Sequence, residues 1–246
     1  AVDLIPTCLA AHTIPKDRSI TSADYLNEIL SELLPEVKKR SLASRVDIFI
    51  EEGAFSATEG STYVMKAKEL GFDITIHADQ FSVGGSGVAV DCGALSADHL
   101  EASTDQEITY LAKSDVIPVA LPGASLGLGC GFTPARSLLD AGSSLAIASD
   151  HNPGSAPMGD LVTQASVLGT MQKLSQAEVF AGITFRAAAA LGLTDRGTLE
   201  KGKVADLCIY MVDDLNEVLY HQGSLTPALV IKKGEIVIDK RKDPHA

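Results

Sequence analysis

The sequence predicts an α/β fold, a parallel sheet with crossover helices followed by a small β appendage. Three observations carry that prediction. Six short runs rich in β-forming residues recur as far as Asp150: "DLIPTCLAA", "RVDIFIE", "FDITIH", "GALSADH", "VIPVALP" and "SSLAIASD". Stretches with helical spacing lie between most of them. After Leu193 the character changes to "GTLEKGKVADLCIYMVDD" and "TPALVIKKGEIVIDKR". A run that is nearly all apolar needs cover on both faces, which a parallel sheet receives from its crossover helices. A closed barrel and an open sheet both satisfy this pattern.

Taken in order, the elements carry matching punctuation. The first strand, in "DLIPTCLAA", leads through "AAHTIP" to the helix "TSADYLNEILSELLPEVKKR", whose opening reads as a Ser/Asp cap. The next two strands, "RVDIFIE" and "FDITIH", and the two after them are separated by further helical stretches. Before the sixth strand, "TPARSLLDAG" reads as a helix with Thr133 as cap, Pro134 at the first helical position and Gly142 at the stop. Beyond Leu193 the reading is of short alternating strands and Lys-Gly turns with no helix. The domain boundary is therefore expected between 193 and 194, with residues 1–193 forming the chemistry-bearing domain and 194–246 a small β domain.

Composition limits the function classes. A chain of 246 residues, 46% of them hydrophobic, can bury a sizeable core. A formal net charge of -12 repels nucleic-acid phosphates, and the basic clusters at Lys38 and Lys240 are short enough to be solvated faces. The longest apolar stretch, "DVIPVALPGASLGLG", is broken by Pro and Gly well short of a membrane span. Cys8, Cys92, Cys130 and Cys208 form no CxxC pair, which removes a zinc knuckle and a disulfide scaffold. The expectation is a cytoplasmic protein with a small-molecule substrate and no nucleic-acid or membrane partner, with a homodimer left open. The chain opens without Met on the strand-like "AVDLIPTCLAAH", as though cut from something longer.

Four strands end in polar groups: His12 in "LAAHTIP", His77 in "TIHADQ", His99 in "SADHLE" and Asp150 in "AIASDHNPGS". A single histidine is most often an ordinary core or loop residue. Four strand-end groups together point further, because consecutive strands of a barrel bring their C-terminal ends to one rim. Neutral imidazole and carboxylate suit a borderline divalent ion such as zinc or ferrous iron. Such an ion lowers the pKa of its water to about 7 and polarises a carbonyl, so the chemistry implied is hydrolysis. Asp150 reads either as a metal ligand that takes the proton of the attacking water or as an Asp capping the "NPGS" turn. Asn152, Gly154 and Ser155 offer amide, backbone and hydroxyl groups beside it for a small polar substrate. The glycine-rich "VGGSG" and "LGLGCG" lack the spacing of a phosphate cradle and read as close backbone turns, and no Ser has an assignable His-Asp partner that would support serine chemistry.

With "IHADQ", "SADHL" and "SDHNPGS" in that order, followed by "GTLEKGKVADLCIY", the chain resembles the metal-dependent amidohydrolases, and among them the imidazolonepropionase family. The resemblance runs over nearly the whole chain. It implies a TIM-type (β/α)8 barrel with a small β-sandwich domain, and hydrolytic opening of the ring of 4-imidazolone-5-propanoate to N-formimidoyl-L-glutamate in histidine degradation. It implies one zinc or iron ion on His77 and Asp150, with His99 in the active site beside the reacting carbonyl. Substrate contacts carry over to His12, Gln80, Asn152, Gly154 and Ser155.

Two departures stand out. The family's H-x-H pair on its first barrel strand is absent from these histidines (12, 77, 99, 151, 221 and 245), so the chain is expected to represent strands 3 to 8, an incomplete barrel that holds metal weakly or not at all. Some members carry Glu at the position of Gln80; an amide cannot accept a proton at neutral pH, so the base role passes to Asp150 or His99 and Gln80 keeps recognition. Another cyclic amidohydrolase, a heterocycle deaminase and a catalytically inactive fragment are the alternatives.

Overall fold

The computed structural model describes residues 2–242, and the chain divides into two compact units. One comprises Leu4–Ala120 with Thr133–Leu145; the other holds Leu121–Phe132, the chain from Ala146 onward and the segment ending at Asp3. All six expected strands are present. His245 lies outside the described residues.

The first unit is a parallel sheet in sequence order: β1 (Thr7–Ala11), β2 (Arg45–Phe49), β3 (Asp73–Ala78), β4 (Ser96–His99) and β5 (Ile117–Ala120). Its helices are α1 (Ser22–Glu28), running through a π segment at Ile29–Leu33 into α2 (Leu34–Lys39), then α3 (Ala57–Glu69), α4 (Gly85–Cys92), α5 (Asp105–Leu111) and α7 (Ala135–Asp140). Val46, Ile48, Ile74 and Ile76 of the central strands are buried, as are Tyr63, Val64 and Ala67 of α3. Each large apolar side chain so buried stabilises the fold by about 2 kcal/mol. The approach is close at Gly60, where a Cβ would stand 2.6 Å from Ile50 Cδ1. Cover on both faces fails at β1, whose residues alternate in exposure and leave Leu9 44% exposed.

The second unit contains α6 (Pro122–Leu128), β6 (Ala146–Ile147), α8 (Leu161–Met171), α9 (Gln176–Ile183), α10 (Phe185–Ala190) and α11 (Asn216–Tyr220). It also holds an antiparallel sheet of β7 (Leu207–Ile209), β8 (Leu229–Lys232) and β9 (Glu235–Asp239). The β8–β9 hairpin turns on Lys233 and Gly234, both at positive φ (52° and 85°), the conformation a two-residue hairpin loop requires. Asp3, Asp206, Arg196 and Lys232 form an ion network at the foot of this sheet.

Three local readings are corrected. The cap of α1 is Thr21, whose side chain accepts from Asp24 N, rather than the Ser/Asp pair after it. Thr133 does not cap α7; its hydroxyl donates to the carbonyl of His99, and Pro134 takes the cap position, although Gly142 does end the helix with φ of 100°. The segment beyond Leu193 is not free of helix, because α11 buries Val218 and Leu219. Among the described residues no helix is long and apolar enough to cross a membrane.

Candidate active site

In the first unit the structure brings together three of the four polar strand ends, His12, His77 and His99. His77 leaves the end of β3 in register with Phe49 of β2 and Asp98 of β4, so these side chains share one face of the sheet. The His12 ring, just beyond β1, lies 5.3 Å from that of His77 and stacks on Phe49 at 5.2 Å. The His99 ring lies 5.3 Å from His77 on the other side. Three imidazoles from three parallel strands thus form one row.

Two carboxylates stand beside this row. Nδ1 of His77 is 2.9 Å from Asp47 of β2, which leaves Nε2 as the ring's other donor atom. Asp98 has Oδ1 shielded from solvent, and burial pushes its carboxyl up, with the neighbouring Asp47 charge adding to the effect. Thr75 donates to Asp98 at 3.2 Å and hydrogen-bonds Ser96.

His99 is 2% exposed and takes φ of 84°, followed by Leu100 at 69°. Two consecutive left-handed residues cost about 1–3 kcal/mol each and persist only where their surroundings hold them. Here Leu100 N donates to Ala78 O at 2.9 Å and Thr133 holds the His99 carbonyl. Nδ1 of His99 is 3.6 Å from Glu101 Oε2, longer than a hydrogen bond.

Gln80 lies on the turn after β3, 9% exposed, between two carboxylate anchors. Asp79, at φ of 49°, accepts from Gly84 N (2.9 Å), Ser86 N (3.1 Å) and Ser103 Oγ (2.8 Å). Glu51 accepts from Phe81 N (2.9 Å), Ser82 N (3.1 Å) and the Ser82 hydroxyl. The "VGGSG" stretch is explained here: a Cβ on Gly85 would stand 2.7 Å from Ala78 Cα, so α4 starts directly against the end of β3.

In the second unit, Asp150 follows β6 at φ of 49° and opens a loop organised by Asn152. The Asn152 amide donates to Asp150 O (2.6 Å), Asp150 Oδ2 (3.1 Å) and Ser155 Oγ (3.1 Å), and its Oδ1 accepts from Gly154 N and Ser155 N at 2.8 Å. His151 is exposed. A Cβ on Gly127 of α6 would stand 1.7 Å from Ser155 O, so "LGLGCG" makes the close backbone approach that supports this loop.

Among the described residues no group of three or more His, Cys, Asp or Glu side chains stands ready to hold a metal ion. The donor chemistry of His77 nevertheless suits one, since a carboxylate behind one ring nitrogen fixes the tautomer and presents the other. Sequence reasoning missed Asp47, Glu51, Asp79 and Asp98. A signal existed: a carboxylate inside a run otherwise fit for burial, as in "RVDIFIEE", must find a partner.

The match to known proteins agrees with this architecture. Residues 37–238 match the model of the amidohydrolase family. The chain is 42% identical over 241 residues to an imidazolonepropionase of Bdellovibrio bacteriovorus, covering 97% of this chain and 56% of that protein. It is 36% identical to one of Alkaliphilus oremlandii, with 97% and 57% covered. A Streptococcus gordonii imidazolonepropionase is 37% identical over 242 residues, with 97% and 78% covered. Among solved structures, a zinc-bound adenosine deaminase from Xanthomonas campestris superposes with a TM-score of 0.73 at 21% identity, covering 94% of this chain and 60% of that one. The atrazine chlorohydrolase TrzN of Arthrobacter aurescens, complexed with zinc, gives 0.70 at 16% identity, covering 97% and 62%.

The chain belongs to the amidohydrolase family. Within it, the curated relatives just described are imidazolonepropionases, and the chain spans little more than half the length of the first two.

Proposed function

We propose that the protein hydrolyses a cyclic amide and that its substrate is 4-imidazolone-5-propanoate, opened to N-formimidoyl-L-glutamate. The observation that carries this reading is the row of His12, His77 and His99 at the ends of three parallel strands, with Asp47 behind His77. The identity to imidazolonepropionases over 97% of the chain supports the choice of ring. The architecture proposed is a (β/α)8 barrel of which this chain supplies strands 3 to 8, with residues 1–193 in the barrel and 194–246 in a small β domain. A cytoplasmic location follows from the same reading.

One divalent ion, zinc or iron, on His77 and Asp150 would polarise the ring carbonyl and lower the pKa of an adjacent water. Asp47, 2.9 Å from His77 Nδ1, would orient the ring as a ligand. Asp150 takes the proton of the attacking water, and His99 hydrogen-bonds the carbonyl that is attacked. The ring C–N bond breaks, with hydroxyl going to the carbonyl carbon and a proton to the departing nitrogen. His12, Gln80, Asn152, Gly154 and Ser155 contact the substrate. Gln80 offers both a donor and an acceptor to the ring's N–H and C=O edge, which suits recognition rather than proton transfer.

The test is a ring-opening assay of the full-length protein on 4-imidazolone-5-propanoate beside guanine, cytosine and adenosine. Turnover of the imidazolone is expected. Activity confined to the other heterocycles would replace this reading with a deaminase.

A further inference from the structure

We propose that Glu51 is a positioning residue of the substrate site, clamping the turn Phe81–Ser82 so that Gln80 is presented to the ring. This rests on the reading of Gln80 as a recognition group given above. Glu51 follows β2, is 8% exposed, and has its own N–H bonded to Phe55 O at 3.1 Å. Both of its carboxylate oxygens are engaged. Oε2 accepts from Phe81 N and Ser82 N, while Oε1 accepts from the Ser82 hydroxyl and from Glu52 N at 2.9 Å. Three of the four donors therefore belong to the two residues after Gln80.

The geometry divides the work between two carboxylates. Asp79, the residue before Gln80, ties its side of the turn to the start of α4 and to Ser103. Glu51 ties the other side back to the neighbouring strand. Gln80 is thus held by its two neighbours, and its orientation is set from both directions. An acceptor with two oxygens and a full negative charge is what a pair of successive N–H groups and a hydroxyl need together. A glutamine at 51 supplies one acceptor oxygen and places a donor where the other was, so at least one of these bonds is lost. Phe81 is 58% exposed and contributes little packing to hold the turn by itself.

Because Gln80 would contact substrate in ground state and transition state alike, loosening the turn weakens binding uniformly. Glu51→Gln is therefore expected to raise KM for 4-imidazolone-5-propanoate about tenfold with kcat within about twofold. Ser82→Ala, which removes one of the clamped donors, should move KM in the same direction by about two- to fivefold. Glu52→Gln, an exposed neighbour with the same charge change, should leave both constants unmoved.

The experiment is steady-state kinetics of these three variants in the full-length protein, together with hydrogen exchange at the amides of Phe81 and Ser82. Faster exchange at both amides in Glu51→Gln with the KM-only defect is the expected result. Unchanged exchange, an unmoved KM, or a fall in kcat at constant KM would each overturn the proposal. Wild-type protein that does not open the imidazolone ring would instead sink the proposed function, a result visible before any variant is compared.

Discussion

Nδ1 of His77 and the carboxylate of Asp47 lie 2.9 Å apart, on neighbouring parallel strands and with side chains only 15% and 8% exposed. A buried carboxylate that orients a ligand histidine typically contributes a factor of about 10–100 in metal affinity. With His77 as the proposed ligand, Asp47→Ala is expected to lower metal affinity by that factor. Chelator competition with zinc on the purified full-length protein measures it, independently of turnover.

The two glycine-rich stretches give a stability prediction with an internal control. Gly127→Ala would drive a methyl against Ser155 O, and Gly85→Ala against the Ala78 backbone, whereas a Cβ on Gly131 meets nothing within 4 Å. The first two variants should lose about 1–3 kcal/mol in urea unfolding. Gly131→Ala should stay within about 0.5 kcal/mol of wild type.

Ser56 and Glu59 form a reciprocal capping box at the start of α3, each satisfying a backbone N–H of the first turn. Ser56→Ala should cost about 1 kcal/mol. For a chain of this size that corresponds to a fall in Tm of about 2–4 °C, read by thermal melting.

Acid should release the turn after β3. Burial pushes the Glu51 carboxyl up, but the Ser82 hydroxyl and the N–H groups of Phe81, Glu52 and Ser82 outweigh it, leaving the pKa below the ordinary glutamate value. A depressed carboxyl contributes stability that is present above its unfolded pKa of about 4.3 and is lost as pH falls through the folded value. The stability gap between wild type and Glu51→Gln should therefore be constant near neutrality and narrow as pH drops below about 4. Urea unfolding across that range checks the sign.

The strands are legible in the sequence because their apolar runs are long enough to read locally, and the three histidines because they end those runs. What escapes depends on neighbours distant in sequence. The partner of Asp47 is 30 residues away on the next strand, and Thr133 serves the carbonyl of His99 rather than its own helix. The helix Asn216–Tyr220 is hidden because one and a half turns buries only Val218 and Leu219, too few apolar residues to set a period. The exposed face of β1 is equally invisible, since an apolar run does not record whether a second layer covers it. The sequence assigns Asn152 to substrate; in the folded chain its amide also holds the loop from Asp150 to Ser155 together.

The assignment of roles at the strand ends is tested most directly by comparing steady-state turnover of 4-imidazolone-5-propanoate by Gln80→Ala and Asp150→Ala in the full-length protein. Gln80→Ala should raise KM while retaining most of kcat, and Asp150→Ala should abolish turnover. Loss of turnover at saturating substrate in Gln80→Ala, with turnover kept in Asp150→Ala, would contradict the account.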